Sequence, residues 1–110
     1  MEKLDIVLQG PIYDFTHDIA EKYSQISFIN QVIVSTWKEF EHNDLSTNKI
    51  KYYYSDPPSF PGMGNRNMQI KSSLEGLKKV STEFCCRGRT DQIYDVQSMS
   101  VMYDFYQSHK

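Results

Sequence analysis

Four short apolar runs, at residues 4–8, 32–34, 50–54 and 84–86, are each followed by a polar or turn-forming cluster, with segments of helical period after the first, third and fourth. Runs this short and nearly continuous suit strands buried on both faces. Strands of that kind alternating with helices build a largely parallel sheet covered on both sides. The expected order is strand-helix-strand-strand-helix-strand-helix, an α/β fold with a mainly parallel sheet of about four strands. Right-handed crossovers bring the carboxyl ends of such strands to one edge, where open α/β sheets bind nucleotides and phosphorylated ligands.

The punctuation supports this order. The first run stops at Gln9-Gly10-Pro11, after which Thr16 is placed to cap a helix with Ile19, Ala20, Tyr23 and Ile26 on one face. The β-branched second run gives way to Ser35-Thr36-Trp37, and residues 38–48 read as a polar loop. The third, aromatic run is stopped by Ser55-Asp56-Pro57-Pro58, because proline lacks a ladder donor and restricts its predecessor. An irregular loop rich in proline and glycine follows to Gly64. Asn65 then opens a helix with apolar positions Ile70, Leu74 and Leu77. The fourth run ends before Arg89-Thr90-Asp91, and Val96, Met99, Tyr103 and Tyr106 share one face of a last helix.

At 110 residues the chain reads as a single domain, 1–110, large enough for its own core. A formal net charge of -2 gives no broad basic footprint for nucleic acid or an anionic membrane, so anion binding must be local. No apolar run approaches a membrane span, and residues 1–8 read as a strand rather than a secretory signal, which makes the cytoplasm the expected address. Cys85 and Cys86, adjacent in a strand, point to opposite faces and read as free thiols. His17, His42 and His109 show no ligand spacing.

Each strand-end cluster has a chemical use. A glycine at position 10 lets a flat ligand or phosphate approach backbone that a Cβ would block. The hydroxyls of Ser35 and Thr36 can cap backbone groups. Asp56 can accept hydrogen bonds from a base N–H, or simply form a turn. Asn65-Arg66-Asn67 offers a helix start, with a positive dipole and a guanidinium suited to phosphate. Asp91 can ligate a divalent cation bridging two phosphates, Asp95 being an outer-shell helper, or it can cap the last helix.

Strung together, residues 5–13, 32–37, 65–70 and 87–92 resemble the WavE family of lipopolysaccharide-synthesis proteins, which are similar to GT-A type glycosyltransferases. The resemblance spans most of the chain, with Gln9-Gly10-Pro11-Ile12-Tyr13 and Ser35-Thr36-Trp37 its more specific parts. It implies the nucleotide-binding half of a GT-A, Rossmann-like fold that holds a nucleoside diphosphate sugar for transfer to a saccharide acceptor. By that likeness Gly10, Pro11 and Ile12 lie against the nucleoside, Asp56 near the base or ribose, and Arg66 near the phosphates. Gln9, Ser35, Thr36, Asn65 and Arg89 are further candidate contacts for the same ligand. Asp91 sits at an Mn²⁺ or Mg²⁺ ion. The chain departs from the family's D-x-D motif in having Arg89 at the first position, a cation that can itself neutralise phosphate. The likeness covers the donor-binding half, while a carboxyl-terminal half binds the acceptor and supplies the catalytic base.

Two other classes fit parts of the pattern. Strand-end geometry also serves a non-catalytic nucleotide-binding module. An aromatic last helix, with Met99, Met102, Tyr103, Phe105 and Tyr106 around it, suits an interaction domain docked on a further half. A receiver domain is disfavoured, because no acidic pair ends the first strand.

Overall fold

The computed structural model describes residues 3–93 and 96–108. In chain order the elements are β1 (Leu4–Gln9), α1 (Thr16–Ser24), β2 (Ile29–Trp37), a 3-10 helix (Lys38–Asn43), β3 (Ile50–Ser55), a 3-10 turn (Met63–Asn65), α2 (Arg66–Leu77), β4 (Cys85–Arg89) and α3 (Val96–Ser108). All the ladders are parallel, and the order across the sheet is β3-β2-β1-β4. This is the expected α/β architecture, Rossmann-like in its strand order. Winding runs outward from β1 through β2 to β3, then returns across two strands to β4. A right-handed crossover in the return direction puts α2 on the face opposite α1. The reversal falls between β1 and β4, the position at which open α/β sheets leave a crevice beyond their strand ends.

The two faces are built differently. On one, Leu4, Ile6 and Leu8 of β1, Val32 and Val34 of β2, and Ile50 and Tyr52 of β3 pack with Ile19, Ala20 and Tyr23 of α1 and Met99 and Tyr103 of α3. Each large side chain here contributes about 1.5–3 kcal/mol by leaving water. Phe28 stacks on Tyr103 with ring centroids 4.3 Å apart, holding α3 against the turn after α1. On the other face, α2 meets the sheet through Ser72, Ser73 and Gly76. A Cβ at Gly76 would stand 2.6 Å from Val7 Cγ1 and 3.1 Å from Ser35 Cβ, so the helix backbone lies almost on the strands.

That close approach overturns the expected stripe: Ile70, Leu74 and Leu77 point outward, at 51%, 54% and 40% exposure. The reason is polar. Ser35 Oγ donates to the Ser72 carbonyl at 2.7 Å, and Arg87 Nη1 donates to Ser73 Oγ at 2.9 Å. A leucine stripe would hold the helix off the sheet and leave the buried Ser35 hydroxyl without its acceptor, at a cost of about 1–3 kcal/mol. Three boundaries also differ from expectation. β2 continues through Ser35, Thr36 and Trp37, and β4 runs on to Arg89. Residues 38–43 are helical rather than loop. Thr16 opens α1 without capping it, since its hydroxyl is used elsewhere.

At the amino-terminal edge of the sheet, Asp5 is fully buried. The β1–β2 register shifts between Leu4 and Asp5, so Asn30 and Gln31, neighbours that would otherwise point apart, both reach its carboxylate. Asn30 Nδ2 donates to Oδ1 at 2.7 Å, and Gln31 Nε2 donates to Oδ2 at 3.0 Å. The Ser81 backbone N–H donates to Oδ2 at 2.7 Å, and the Asp5 N–H donates to Thr82 Oγ1 at 3.0 Å. One carboxylate thus joins β1, β2 and the turn that leads into β4. Burial alone would raise the pKa of Asp5, but the bonds from Gln31, Asn30 and Ser81 outweigh it and hold the acid below its ordinary value.

Two outcomes follow for stability. Because the folded pKa of Asp5 is depressed, its contribution is fully present above the ordinary aspartate value of about 4. It is lost as pH falls through the lowered value. Urea midpoints measured across that acid range should fall steeply for the native chain. Asp5→Asn should be less stable at neutral pH and lose less on acidification; an unchanged acid limb would contradict the role of Asp5. Gly76→Ala should lift α2 from the sheet and cost about 1–3 kcal/mol in the same assay, whereas Ala at exposed Leu74 should cost less than about 1 kcal/mol.

Candidate functional site

The loops that leave β1 and β4 are bound together by two buried threonines. Gly10 turns the chain out of β1 at φ +130, a conformation L side chains rarely adopt, and its N–H donates to the Ser35 carbonyl at 3.2 Å. A Cβ at this position would stand 2.9 Å from Thr90 Oγ1. The Thr90 N–H donates to the Gln9 carbonyl at 3.2 Å, and its hydroxyl donates to the Pro11 carbonyl. Thr16 Oγ1 donates to the Thr90 carbonyl at 3.0 Å and accepts from the Tyr13 N–H at 2.9 Å. The result is a rigid rim at the reversal point of the sheet, with α1 fastened to it.

Below this rim lies a cavity of about 160 Å³. The loop after β1 contributes Gln9, Gly10, Pro11 and Tyr13, the end of β2 contributes Trp37, and the end of β4 contributes Arg89, Thr90 and Asp91. The α2 side supplies Asn65, in the left-handed turn just before the helix, and Met68, Gln69 and Ser72, which share one helical stripe. Ser72 Oγ lies 2.7 Å from Gln9 Oε1 as donor, which leaves the Gln9 NH₂ for a ligand.

Arg89 and Asp91 are the charged residues of this lining. Arg89 Nη2 and Asp91 Oδ2 are 2.9 Å apart, so the carboxylate steadies a guanidinium that keeps its other donors. Asp91 Oδ1 is buried and has no hydrogen-bond partner among the described residues. For a divalent cation the donor set is therefore one unspent carboxylate oxygen. No group of three or more His, Cys, Asp or Glu gathers anywhere among the described residues, and Asp95 lies outside them. This fits one ligand position of a Mg²⁺-like ion that takes its remaining oxygens from phosphates and water, and does not make an all-protein site.

Of the residues singled out in the sequence, Gln9, Gly10, Pro11, Asn65, Arg89 and Asp91 meet at this cavity. The others do not. Ser35 and Thr36 are fully buried in β2, Ser35 being spent on α2. Asp56 is solvent-exposed and pairs with Lys38 at 3.3 Å. Arg66 is exposed, four residues before Ile70 on the outward stripe. The N–H groups of Asn65, Arg66 and Asn67 are already used by the carbonyls of Gly62, Met63 and Pro61, so those donors of the helix start are not free for an anion. Tyr13, Trp37, Met68 and Gln69 fall inside the segments of the family resemblance but have no role assigned there, and Ser72 lies outside them. The common helical face of Met68, Gln69 and Ser72 is the signal that identifies the three on α2.

A second cavity, of about 480 Å³, adjoins the first through Tyr13, which lines both. It lies on the α1 face, walled by Ile12, Tyr13, Phe40, Tyr52 and Tyr54, with Asp14 and His17 among its polar groups. His17 Nδ1 is 2.8 Å from the Tyr52 hydroxyl, and its Nε2 is 3.2 Å from Glu21 Oε1. Burial, then the charges of Asp44 and Glu21, push Tyr52 up to about 12. Because the Glu21 carboxylate can only accept, a neutral His17 carries its proton at Nε2 and takes the Tyr52 hydroxyl as donor at Nδ1. Tyr54 donates to Asp44 Oδ1 at 3.1 Å; burial and that carboxylate raise its pKa too.

Among the described residues no helix is long and apolar enough to cross a membrane. No curated protein and no solved structure matches the chain. The family described as WavE lipopolysaccharide synthesis matches residues 4–110, nearly the full length of the sequence. With a four-stranded parallel sheet and a cleft at its reversal point, the chain belongs to the WavE lipopolysaccharide synthesis family.

Proposed function

We propose that the chain is the donor-binding domain of a GT-A-like glycosyltransferase, and that the smaller cavity holds the diphosphate of a nucleoside diphosphate sugar. One observation carries this reading: Gly10, Arg89 and Asp91, distant in sequence, line one small cavity at the reversal point of a parallel sheet. About 160 Å³ accommodates a diphosphate but not a whole nucleotide sugar, so nucleoside and sugar extend beyond it along the sheet edge.

Within this reading each residue has a defined task. Gly10 lets phosphate oxygens approach the backbone of the β1 loop, and the Gln9 NH₂ donates to one of them. Arg89, steadied by Asp91, sets a fixed positive charge where negative charge grows as the nucleoside diphosphate departs and an acceptor hydroxyl attacks the anomeric carbon. Because its orientation is already set by Asp91, little reorganisation is needed during the reaction. Asp91 Oδ1 is the oxygen that would hold Mn²⁺ or Mg²⁺, and such an ion when bound shares in neutralising the leaving group. A cytoplasmic address and a saccharide acceptor belong to the same reading, as does a catalytic base from elsewhere than this cavity.

The test is calorimetric titration with UDP-, GDP- and CDP-sugars, with and without Mn²⁺, alongside melting temperatures, which a ligand of the native state must raise. Arg89→Ala should weaken every nucleotide alike, by about 10- to 100-fold, through loss of a charged hydrogen bond. Asp91→Ala should abolish any metal-dependent increment. Gly10→Ala should fold less stably and bind poorly, its Cβ having no room beside Thr90. Equal affinities in the native protein and these three variants would remove the assignment.

A further inference from the structure

The larger cavity has no part in that reading, yet its volume falls within the roughly 300–1,000 Å³ of small-molecule sites. We propose that it is a binding site for the neutral ring of a saccharide, contacted by Tyr52, Tyr54, Phe40 and His17.

Four features point to that chemistry. First, the walls are aromatic faces with a few polar groups among them. Such faces carry partial negative charge and attract the C–H side of a sugar ring, while hydroxyl and imidazole groups meet its edge. Second, the surroundings are acidic. Asp14 is in the lining, Glu21 lies against His17, Asp44 lies against Tyr54, and no lysine or arginine lines the cavity. A ligand bearing phosphate is repelled there, whereas sugar hydroxyls donate readily to carboxylates. Third, His17 Nδ1 and the Tyr52 hydroxyl, 2.8 Å apart, both belong to this lining, so hydrogen-bonding groups and aromatic rings meet in one wall. Fourth, Tyr13 borders both cavities, so a ring held in the larger one lies next to a diphosphate held in the smaller.

If the donor reading above is correct, the sugar so held is part of a saccharide chain that the site grips beside the donor, in addition to the acceptor site that the family likeness gives to a carboxyl-terminal half. Binding of a neutral sugar does not itself require that reading. A nucleobase is a flat ring of a size to enter such a cavity, but it arrives with phosphates that the acidic surround opposes.

The experiment follows the Tyr and His ring resonances of the full chain by NMR. Neutral glucose, galactose, N-acetylglucosamine and lactose are titrated without nucleotide, and UDP is titrated without sugar. A saturable millimolar response of Tyr52, Tyr54 and His17 to at least one sugar, not reproduced by UDP, is expected. Tyr54→Ala and Phe40→Ala should each weaken the sugar about tenfold or more, and Leu74→Ala, on the outward face of α2, should leave it unchanged. Tyr54→Phe, which keeps the ring and removes only the hydroxyl bonded to Asp44, gives the same comparison with less disturbance of folding. Sugar binding without nucleotide binding would uphold this cavity while removing the donor reading. No response to any sugar, a response of these rings to UDP alone, or sugar binding indifferent to Tyr54 and Phe40 would overturn the proposal.

Discussion

Pairing of β1 with β4 is the constraint on which the molecule depends, because these strands meet only after the rest of the sheet has been laid down between them in sequence. Closing so long a segment costs entropy before any ladder bond repays it, and parallel pairing has no tight turn to set its register. Both ends of the pair are therefore pinned. At the amino-terminal edge the Asp5 carboxylate takes the Ser81 N–H, seventy-six positions away. At the carboxyl edge Thr90 bonds the Pro11 carbonyl, seventy-nine positions away. Between these pins β4 has no freedom to slip, and the loops beyond it hold a fixed geometry.

Fixing that pair also creates the cleft. α1 leaves β1 on one face and α2 returns from β3 to β4 over the other, and the space over the strand ends at the reversal is left to loops. The faces are unequal in thickness. Large side chains separate α1 and α3 from the sheet, whereas serines and a glycine bring α2 almost into backbone contact with it. That nearness carries the stripe from Met68 to Ser72 to the end of β1, where Gln9 and Ser72 meet. A bulkier interface would hold the α2 stripe away from Arg89 and Asp91 and open the small cavity to solvent. Packing of the second layer and the shape of the site are thus one property.

The larger cavity has a different origin. It forms on the thick side, where β3 carries Tyr52 and Tyr54 past the end of α1 and the 3-10 helix after β2 brings Phe40 over them. Two clefts of opposite character consequently share a border at Tyr13: one small, with a guanidinium in its lining, the other wide, aromatic and acid-rimmed. This pairing of environments suits an anionic ligand beside a neutral one.

Most of the architecture was legible in the sequence. Short apolar runs separated by helical-period segments dictate a covered parallel sheet, and glycine and proline after β1 and β3 mark where strands stop, because these are local properties of backbone and burial. Gln9, Gly10, Pro11, Arg89 and Asp91 could be picked out for the same reason, each lying at or just past a strand end. Three things were decided only by tertiary structure. Which stripe of α2 faces inward depended on the buried Ser35 hydroxyl that it satisfies and on the close approach Gly76 allows, and a helical period alone cannot rank a serine stripe above a leucine one. Asp56 and Arg66 sit at strand and helix ends like the rest, but the loop between them carries one to the Lys38 side and the other to the outward stripe. Finally, the placement of β4 beside β1 rather than β3 follows from crossovers and long-range hydrogen bonds, interactions between residues whose proximity no local pattern encodes.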